Sequence, residues 1–197
     1  MQSDEVGLIA RFSSSGIGCS NQHYGVPRNL LQPGRGINMG DGWETGRHPN
    51  RPEVITIDPK TGFSASGASD WCVVRLGAVA QSVEELRIDT KHFKGNFPES
   101  VEVHGMYSPR ASTSEALTSA ANSSDQAWFP LLGRTRLRPD SEHIFSATGN
   151  GGVVSDSGKV SHVRVTIFPD GGIMRLRVIG KAIEPISASD GAMRSKL

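Results

Sequence analysis

Two segments of alternating apolar and polar residues meet at a glycine-rich turn between Ser161 and Gly180. Apolar residues hold every second position in both segments, namely Val163, Val165 and Ile167 before the turn and Met174, Leu176 and Val178 after it. A repeat of two residues is typical of a half-buried β-strand. The turn contains Pro169, whose φ is fixed, followed by glycines that accept the positive φ of a tight reversal. The pattern therefore predicts a β-hairpin.

The opposite faces of the two predicted strands are polar and carry His162, Arg164, Thr166, Arg175 and Arg177. In a paired hairpin these side chains lie on one surface, close enough to interact across the strands. Three guanidinium groups and an imidazole on one surface favour an anion-binding site. A solvent-exposed face without a ligand stays open as the alternative.

The sequence predicts short strands in several other segments: Val6–Phe12, Asp70–Gly77, Val83–Thr90, Ser100–Tyr107, Trp128–Leu137 and His143–Ala147. Helical periodicity is almost absent, and Ser114–Ala121 leaves a short helix and a mobile surface segment as open alternatives. Short strands joined by connections rich in glycine and proline predict an all-β fold, a sandwich or a jelly roll.

Composition narrows the class of protein further. The 197 residues suffice for one domain with a hydrophobic core, and the net charge of +1 gives no support for binding nucleic acid or an anionic membrane. No apolar run is long enough to cross a membrane. Because the N-terminal residues lack the layout of a secretory signal, we expect Cys19 and Cys72 to be reduced, with Cys72 in the core.

The chain ends in Ser195-Lys196-Leu197, which is the peroxisomal address read by an import receptor. Such an address has to be accessible, and we expect residues 184–197 to form a flexible tail after a single domain at residues 1–183. The sequence thus predicts a peroxisomal protein, and a cytoplasmic one if the address is not used.

Residues able to do chemistry concentrate in loops rich in glycine. The long stretch from Asn21 to Arg47 has no helical or strand period, and loops of this kind inside a compact domain are usually functional. Asp41–Arg47 contains two carboxylates and an arginine, and Asp89–Pro98 contains one carboxylate with two lysines and a histidine. Polar loops on a rigid sandwich commonly build binding sites.

The chain resembles the allantoicase family. The resemblance lies in Gly34–Thr45, which contains Gly-Asp-Gly-Trp-Glu-Thr, in Ile88–Ser100, which contains Asp-Thr-Lys-His-Phe-Lys-Gly-Asn-Phe-Pro, and in Ser161–Gly172. Trp128–Leu132 and Thr135–Asp140 match in the same order. The similarity covers roughly residues 7–180, and the chain resembles only the second of the two repeats that this family usually carries.

The resemblance implies a fold and an activity. The fold is a jelly-roll sandwich of the galactose-binding-like type, and the activity is hydrolysis of allantoate to ureidoglycolate and urea in allantoin and purine catabolism. Two departures from the family are visible. The first repeat is missing, and His48 stands where the family tends to have a second arginine after the one matching Arg47, which removes a permanent cation.

The chemistry of allantoate assigns roles to these residues. Its carboxylate calls for arginine, and the candidates for substrate binding are Arg47, Arg164, Arg175, Arg177 and Asn96. Loss of urea needs an acid, and addition of water needs a base or a metal, for which the candidates are Glu44, Asp89, His92 and His162.

Several roles of single residues stay open. Asp89, His92 and Glu44 would together suit a divalent metal, but no His-x-His or His-x-x-x-His spacing supports one. Asp89 is alternatively a turn cap, and Trp43 alternatively a buried plug at one end of the sandwich. We interpret His104 as a surface histidine, and the role of His23 stays undecided.

Two alternatives to an active enzyme follow from the same observations. A half-length chain is also compatible with a catalytically silent ligand-binding or oligomer-partner module. A carbohydrate-binding sandwich is disfavoured, because aromatic residues are only 6% of the chain. A lone repeat would expose the surface that its sister repeat covers, so we expect a homo-oligomer or pairing with a two-repeat relative.

Overall fold

The computed structural model describes residues 15–122, 124–147, 152 and 158–185, which form nine strands and one α-helix. The strands are β1 (Ser15–Cys19), β2 (Trp43–Glu44), β3 (Asp70–Asp89), β4 (Ser100–Met106), β5 (Phe129–Arg136), β6 (Glu142–Ser146), β7 (Val160–Phe168), β8 (Gly172–Ile173) and β9 (Arg175–Pro185). The helix α1 spans Thr113–Ala121, and 3-10 turns lie at Pro27–Leu31 and Met39–Asp41.

Strand β3 determines the arrangement of the layers. Its first half pairs antiparallel with β1 and β7, and its second half pairs with β6 and β9. Irregular register between Arg75 and Glu85 separates the halves. The sheet continues from β7 through β4 to β5, and a separate ladder joins β2 to β8. The result is an all-β jelly-roll sandwich, as predicted, although the predicted strands at residues 70–77 and 83–90 are one continuous strand.

The core lies between the layers and takes alternate residues from each strand. Val163, Val165 and Ile167 of β7 are buried there together with Leu176 and Val178 of β9. The apolar half of the predicted alternation is therefore confirmed in both segments. Trp43 is fully buried in the same core, and its indole nitrogen donates to the carbonyl of Asn21 at 3.0 Å. Its role as a buried plug is confirmed.

The predicted hairpin is wrong in its pairing. Strand β7 pairs with residues Asp70–Arg75 of β3 and, through Val160, with Ala80, whereas β9 pairs with the part of β3 from Ala78 to Asp89. The physical reason lies in the connection, because Gly172 and Ile173 leave the turn to form β8 alongside β2. The polar faces of β7 and β9 therefore belong to different parts of the sandwich, and the single anion-binding surface predicted for them does not form.

Helix α1 covers the outer face of the β1-β3-β7-β4-β5 layer. Ser112 caps it by accepting from the Glu115 amide, while the Glu115 carboxylate accepts from the Ser112 amide. Ala116 and Ala120 pack on the buried residues Val73, Met106 and Trp128. The segment left open between helix and mobile loop is thus a helix, and its apolar side is buried.

Some predictions concern residues outside the described part of the chain. Val6–Phe12 and Ser195-Lys196-Leu197 lie there, and so does the tail from residue 186 onward, whereas β9 continues to Pro185. Cys72 is fully buried opposite Cys19, and both are free thiols. Within the described ranges, no helix has the length and apolar character needed to cross a membrane.

Candidate active site

The ends of three neighbouring strands place several loops side by side. Ser100 at the start of β4 is the register partner of both Arg136 at the end of β5 and Phe168 at the end of β7. The adjoining loops enclose a cavity of about 770 Å³. Its lining comes from segments near residues 21–24, 44–55, 95–99, 136–137 and 169–171.

Backbone hydrogen bonds join these segments into one framework. The Thr45 amide donates to the Gly171 carbonyl at 3.1 Å, and the Gly172 amide donates to the Asn96 carbonyl at 2.8 Å. The Glu99 amide in turn donates to the Phe168 carbonyl at 2.8 Å. Cavity residues that are distant in sequence are therefore held at fixed positions relative to one another.

Glu44 and Asn96 form a polar pair in the cavity wall. The Asn96 side-chain amide donates to Glu44 Oε1 at 2.5 Å, and Glu44 is only 9% exposed. The carboxylate is therefore oriented by a neutral donor and is not neutralised by a cation in this contact. A carboxyl group in this setting can take up or release a proton toward a molecule in the cavity. Of the residues predicted for the site, Glu44, Asn96 and Arg47 line the cavity together.

Arginine supplies the positive charge of the cavity. Arg47 is exposed, and its Nη2 donates to the Pro52 carbonyl at 3.1 Å. Arg51 also lines the cavity, and its Nη1 donates to Asp170 Oδ1 at 2.6 Å. The sequence does not predict this pair, since no pattern marks Arg51 and Asp170 lies within the predicted turn after Pro169.

A second carboxylate in the lining was also missed. Glu99 accepts from Ser100 Oγ at 2.6 Å and from Arg134 Nη2 at 3.2 Å. Arg136, another lining residue, lies 3.6 Å from Glu99 Oε1 and donates to the Gly62 carbonyl. His23, whose role was undecided, is part of the lining as well. The only sequence signal for Glu99 was its place directly after the Asn-Phe-Pro motif.

Asp89 lies outside the cavity lining and is occupied by other partners. Arg35 binds the Asp89 carboxylate bidentately, with Nε at 2.8 Å from Oδ2 and Nη2 at 2.9 Å from Oδ1. The Lys91 amide also donates to Asp89 Oδ1 at 2.9 Å, as the turn-cap interpretation expects. The carboxylate is 3% exposed, so its oxygens serve the local structure.

His92 is likewise outside the lining. Its Nε2 lies 3.3 Å from the Gly36 carbonyl, and its amide donates to Asp140 Oδ1 at 2.7 Å. The suggested shared metal site of Glu44, Asp89 and His92 is therefore not formed. In the part of the chain that the structure describes, no three His, Cys, Asp or Glu side chains come together as metal ligands.

Arg175 and Arg177 hold the long loop against β9. Arg175 donates to the carbonyls of Gly34 and Asp41 at 2.9 and 2.6 Å. Arg177 donates to the carbonyls of Leu30 and Gln32 at 2.9 and 2.6 Å. An irregular loop has carbonyls that no ladder satisfies, and the two guanidinium groups supply the missing donors. Neither residue lines the cavity.

Arg164 and His162 lie under α1, on the other side of the sheet from the core. Arg164 donates to the Ala120 carbonyl at 3.1 Å and lies over the Trp128 ring at 5.4 Å. His162 is fully buried, with Nδ1 at 3.0 Å from Ser161 Oγ. Burial, with a smaller contribution from the Arg75 charge, lowers the pKa of His162 to about 4. His162 is therefore a neutral imidazole away from the cavity.

His104 lies on the same outer face and is not the surface histidine that the sequence indicated. Its side chain is 20% exposed, beside Glu102. Desolvation, followed by the Arg164 charge, lowers the pKa of His104 to about 4.

The buried imidazole of His162 predicts a dependence of stability on pH. Between the unfolded pKa of about 6.5 and the folded pKa of about 4, the unfolded state binds the proton and the folded state does not. The free energy of unfolding should therefore fall as the pH is lowered through this window, by on the order of 2 kcal/mol from pH 7 to pH 5 for this residue.

Urea denaturation at the two pH values measures this effect. His162→Asn should show a smaller difference between pH 7 and pH 5 than the wild type, because the titrating group is gone. Equal differences for the two proteins would contradict the prediction.

Comparison with known proteins places the chain in a family. The model of the allantoicase repeat matches residues 8–183. A protein of Pseudomonas syringae pv. tomato named probable allantoicase is 36% identical over 181 residues, covering 91% of this chain and 46% of the relative. The chain thus spans about half the length of the curated relatives it matches.

Solved structures agree with the fold. The crystal structure of allantoicase from Saccharomyces cerevisiae superimposes with a TM-score of 0.64 at 34% identity, over 88% of this chain and 43% of that one. A fucolectin from striped bass serum shares only the fold, with a TM-score of 0.56 at 15% identity over 89% of this chain and 49% of that one. From the family match over residues 8–183 and these relatives, the chain belongs to the allantoicase family.

Proposed function

We propose that this chain hydrolyses allantoate to ureidoglycolate and urea, as an allantoicase-type hydrolase of purine catabolism. The observation that carries the proposal is the oriented Glu44 carboxylate, which lies in the wall of a cavity that three arginines also line. The volume of about 770 Å³ falls in the range of small-molecule sites. Membership of the family supplies the substrate.

The reaction adds water to the central carbon of allantoate and breaks one bond from that carbon to a ureido nitrogen. Oxygen from water bonds to the carbon, and the leaving nitrogen takes up a proton as urea departs. Glu44 is placed to move that proton, and Asn96 fixes the position of its carboxylate. A lining arginine takes the substrate carboxylate, for which a guanidinium fork is the best-matched partner.

An assay of the purified chain tests the proposal. Urea release from allantoate should be measured with EDTA and, separately, with added divalent metal. Turnover supports the hydrolase. Binding of allantoate without turnover, both with EDTA and with added metal, favours the catalytically silent module. That alternative is supported by the chain spanning about half the length of the curated relatives.

We also propose that the chain assembles with a second repeat, either its own copy or a two-repeat relative. Apolar side chains are exposed in the long loop and in the loop after β2, with Tyr24 67%, Ile37 86% and Val54 75% exposed. Such residues are typical of contact surfaces when they cluster. Light scattering during size-exclusion chromatography should give at least twice the mass of one chain, and a monomer at working concentration would contradict this.

The terminal Ser195-Lys196-Leu197 supports a proposal on location, namely import into peroxisomes through the receptor for this address. A tagged chain lacking these three residues should remain in the cytosol, whereas the full chain should enter peroxisomes. Import of the truncated chain in cells without a full-length relative would disprove the role of the address.

A further inference from the structure

The arginines of this chain differ in how many of their N–H donors already form hydrogen bonds within the protein. Arg175 donates to four backbone carbonyls, those of Asn29, Gly34, Asp41 and Met174. Arg51 donates through Nη1 to Asp170, its Nη2 makes no hydrogen bond to the described residues, and its Nε is buried without a partner among them. A guanidinium carries five N–H donors. Arg51 therefore keeps donor capacity that Arg175 has already used.

Arg51 is also held in place. Asp170 is 6% exposed, and its second oxygen, Oδ2, accepts from the His48 amide at 2.8 Å. Both oxygens of this buried carboxylate thus have partners, and one of them is Arg51 Nη1 at 2.6 Å. A guanidinium anchored at one nitrogen loses less conformational entropy on binding a ligand than a free one. Asp170 is accordingly a positioning residue for Arg51.

The other two arginines of the lining are less suited to grip an anion. Arg47 is exposed, and among the residues that the structure describes it donates only to a backbone carbonyl of its own loop, so no carboxylate there fixes its orientation. Arg136 is 54% exposed, and it lies beside Glu99 and donates to Gly62. Arg51 is 29% exposed and combines a fixed position with unused donors.

We infer that Arg51, held by Asp170, is the residue that binds the carboxylate of the substrate and makes the cavity select anionic ureides over neutral ones. The inference rests on the proposed function for the identity of the substrate. It goes beyond the candidates predicted from sequence, because three of the four arginines predicted for this role do not line the cavity. Arg51 is thereby a specificity residue, and Glu44 with Asn96 faces the part of the ligand that reacts.

Two ligands that differ only in the carboxylate test the inference. Allantoate is diureidoacetate, and methylenediurea is the same molecule with hydrogen in place of the carboxylate. Affinity for both is measured by calorimetry in the Glu44→Gln background, where turnover is slowed, for chains with Arg51, Arg51→Gln and Arg51→Lys. Arg28→Gln is the matched control, since Arg28 is an exposed arginine outside the cavity lining and the charge change is the same.

We expect Arg51→Gln to weaken allantoate binding about 10- to 100-fold, which is what hydrogen bonds to a charged group are worth. Affinity for methylenediurea should stay unchanged, and Arg51→Lys should recover only part of the loss because a lysine offers no fork. In the otherwise wild-type enzyme, the loss should appear in KM more than in kcat. Asp170→Asn should give a smaller effect with the same selectivity for the anionic ligand.

The outcomes separate this inference from the proposed function. Equal weakening for both ligands, or none, overturns the role of Arg51 even if the wild type hydrolyses allantoate. Arg51-dependent selectivity without urea release by the wild type supports the inference and disproves the hydrolase. A wild type that neither binds nor hydrolyses allantoate disproves both.

Discussion

Glu44→Gln should lower kcat for allantoate hydrolysis about 10²–10⁴-fold, which is the usual contribution of a positioned acid or base. Glutamine has nearly the same shape, and its side-chain oxygen can still accept from Asn96 in place of Glu44 Oε1. The variant loses the ability to exchange a proton but keeps the packing of β2. We therefore expect its melting temperature to stay close to that of the wild type.

Glu53→Gln is the matched control, because Glu53 is an exposed residue of the following loop and does not line the cavity. It should retain normal kcat. Steady-state urea release at saturating allantoate measures both variants, with thermal unfolding measured on the same preparations. A Glu44→Gln chain with near-normal kcat would remove this carboxylate from the mechanism.

Gly172→Ala should destabilise the fold by about 3 kcal/mol, at the upper end of what overpacking usually costs. A Cβ at Gly172 would come within 2.5 Å of Phe93 Cζ and still closer to two other ring carbons. Phe93 is fully buried, so the ring has no solvent side into which it can move. Gly172 is also the register partner of Glu44 and donates to the Asn96 carbonyl, so the strain reaches the Glu44–Asn96 pair.

Gly133→Ala is the control for a glycine within a strand, since a Cβ there meets nothing within 4 Å. It should change the free energy of unfolding by less than about 0.5 kcal/mol. Urea denaturation measures both variants and the double variant Gly172→Ala/Phe93→Leu. If the clash is the cause, the smaller leucine should recover part of the loss, as neighbouring substitutions are not additive. The explanation would be contradicted if Gly172→Ala lowered the free energy of unfolding only slightly and Phe93→Leu recovered none of that loss.

The fold was predictable because its local signals agree with its tertiary structure. Alternation marks the buried residues of β7 and β9, and those residues are in the core. Pairing was not predictable from the same pattern. A period of two shows which face of a strand is buried, but the partner of each strand depends on where the connection leads, and here Gly172 and Ile173 pair with β2.

The candidate site was predictable only in part, for a related reason. Glu44, Arg47 and Asn96 lie in glycine-rich loops near strand ends, and these loops meet at one end of the sandwich. Asp89 and His92 are also residues able to do acid–base chemistry in a nearby glycine-rich segment. However, Asp89 is bound by Arg35, and His92 lies against the Gly36 carbonyl. Arg51 carries no local signal at all, because its role comes from Asp170, which is 119 residues away in the chain.

His92 lies close in sequence to Asn96 but apart from the cavity. The sequence groups it with Glu44, whereas the structure leaves it outside the cavity lining. We accordingly expect His92→Ala to lower kcat far less than Glu44→Gln does in the same assay.

Strand β3 contributes hydrogen-bonding partners to both layers of the sandwich. The two layers also bury one common core, so loss of one layer exposes the core face of the other, and we expect them not to melt as separate units. The repeat should consequently unfold in a single cooperative step, without a half-formed sandwich on the way. In a chain built from several repeats, the indivisible unit of duplication is then the complete sandwich, and a break within residues 70–89 would dismantle all of it.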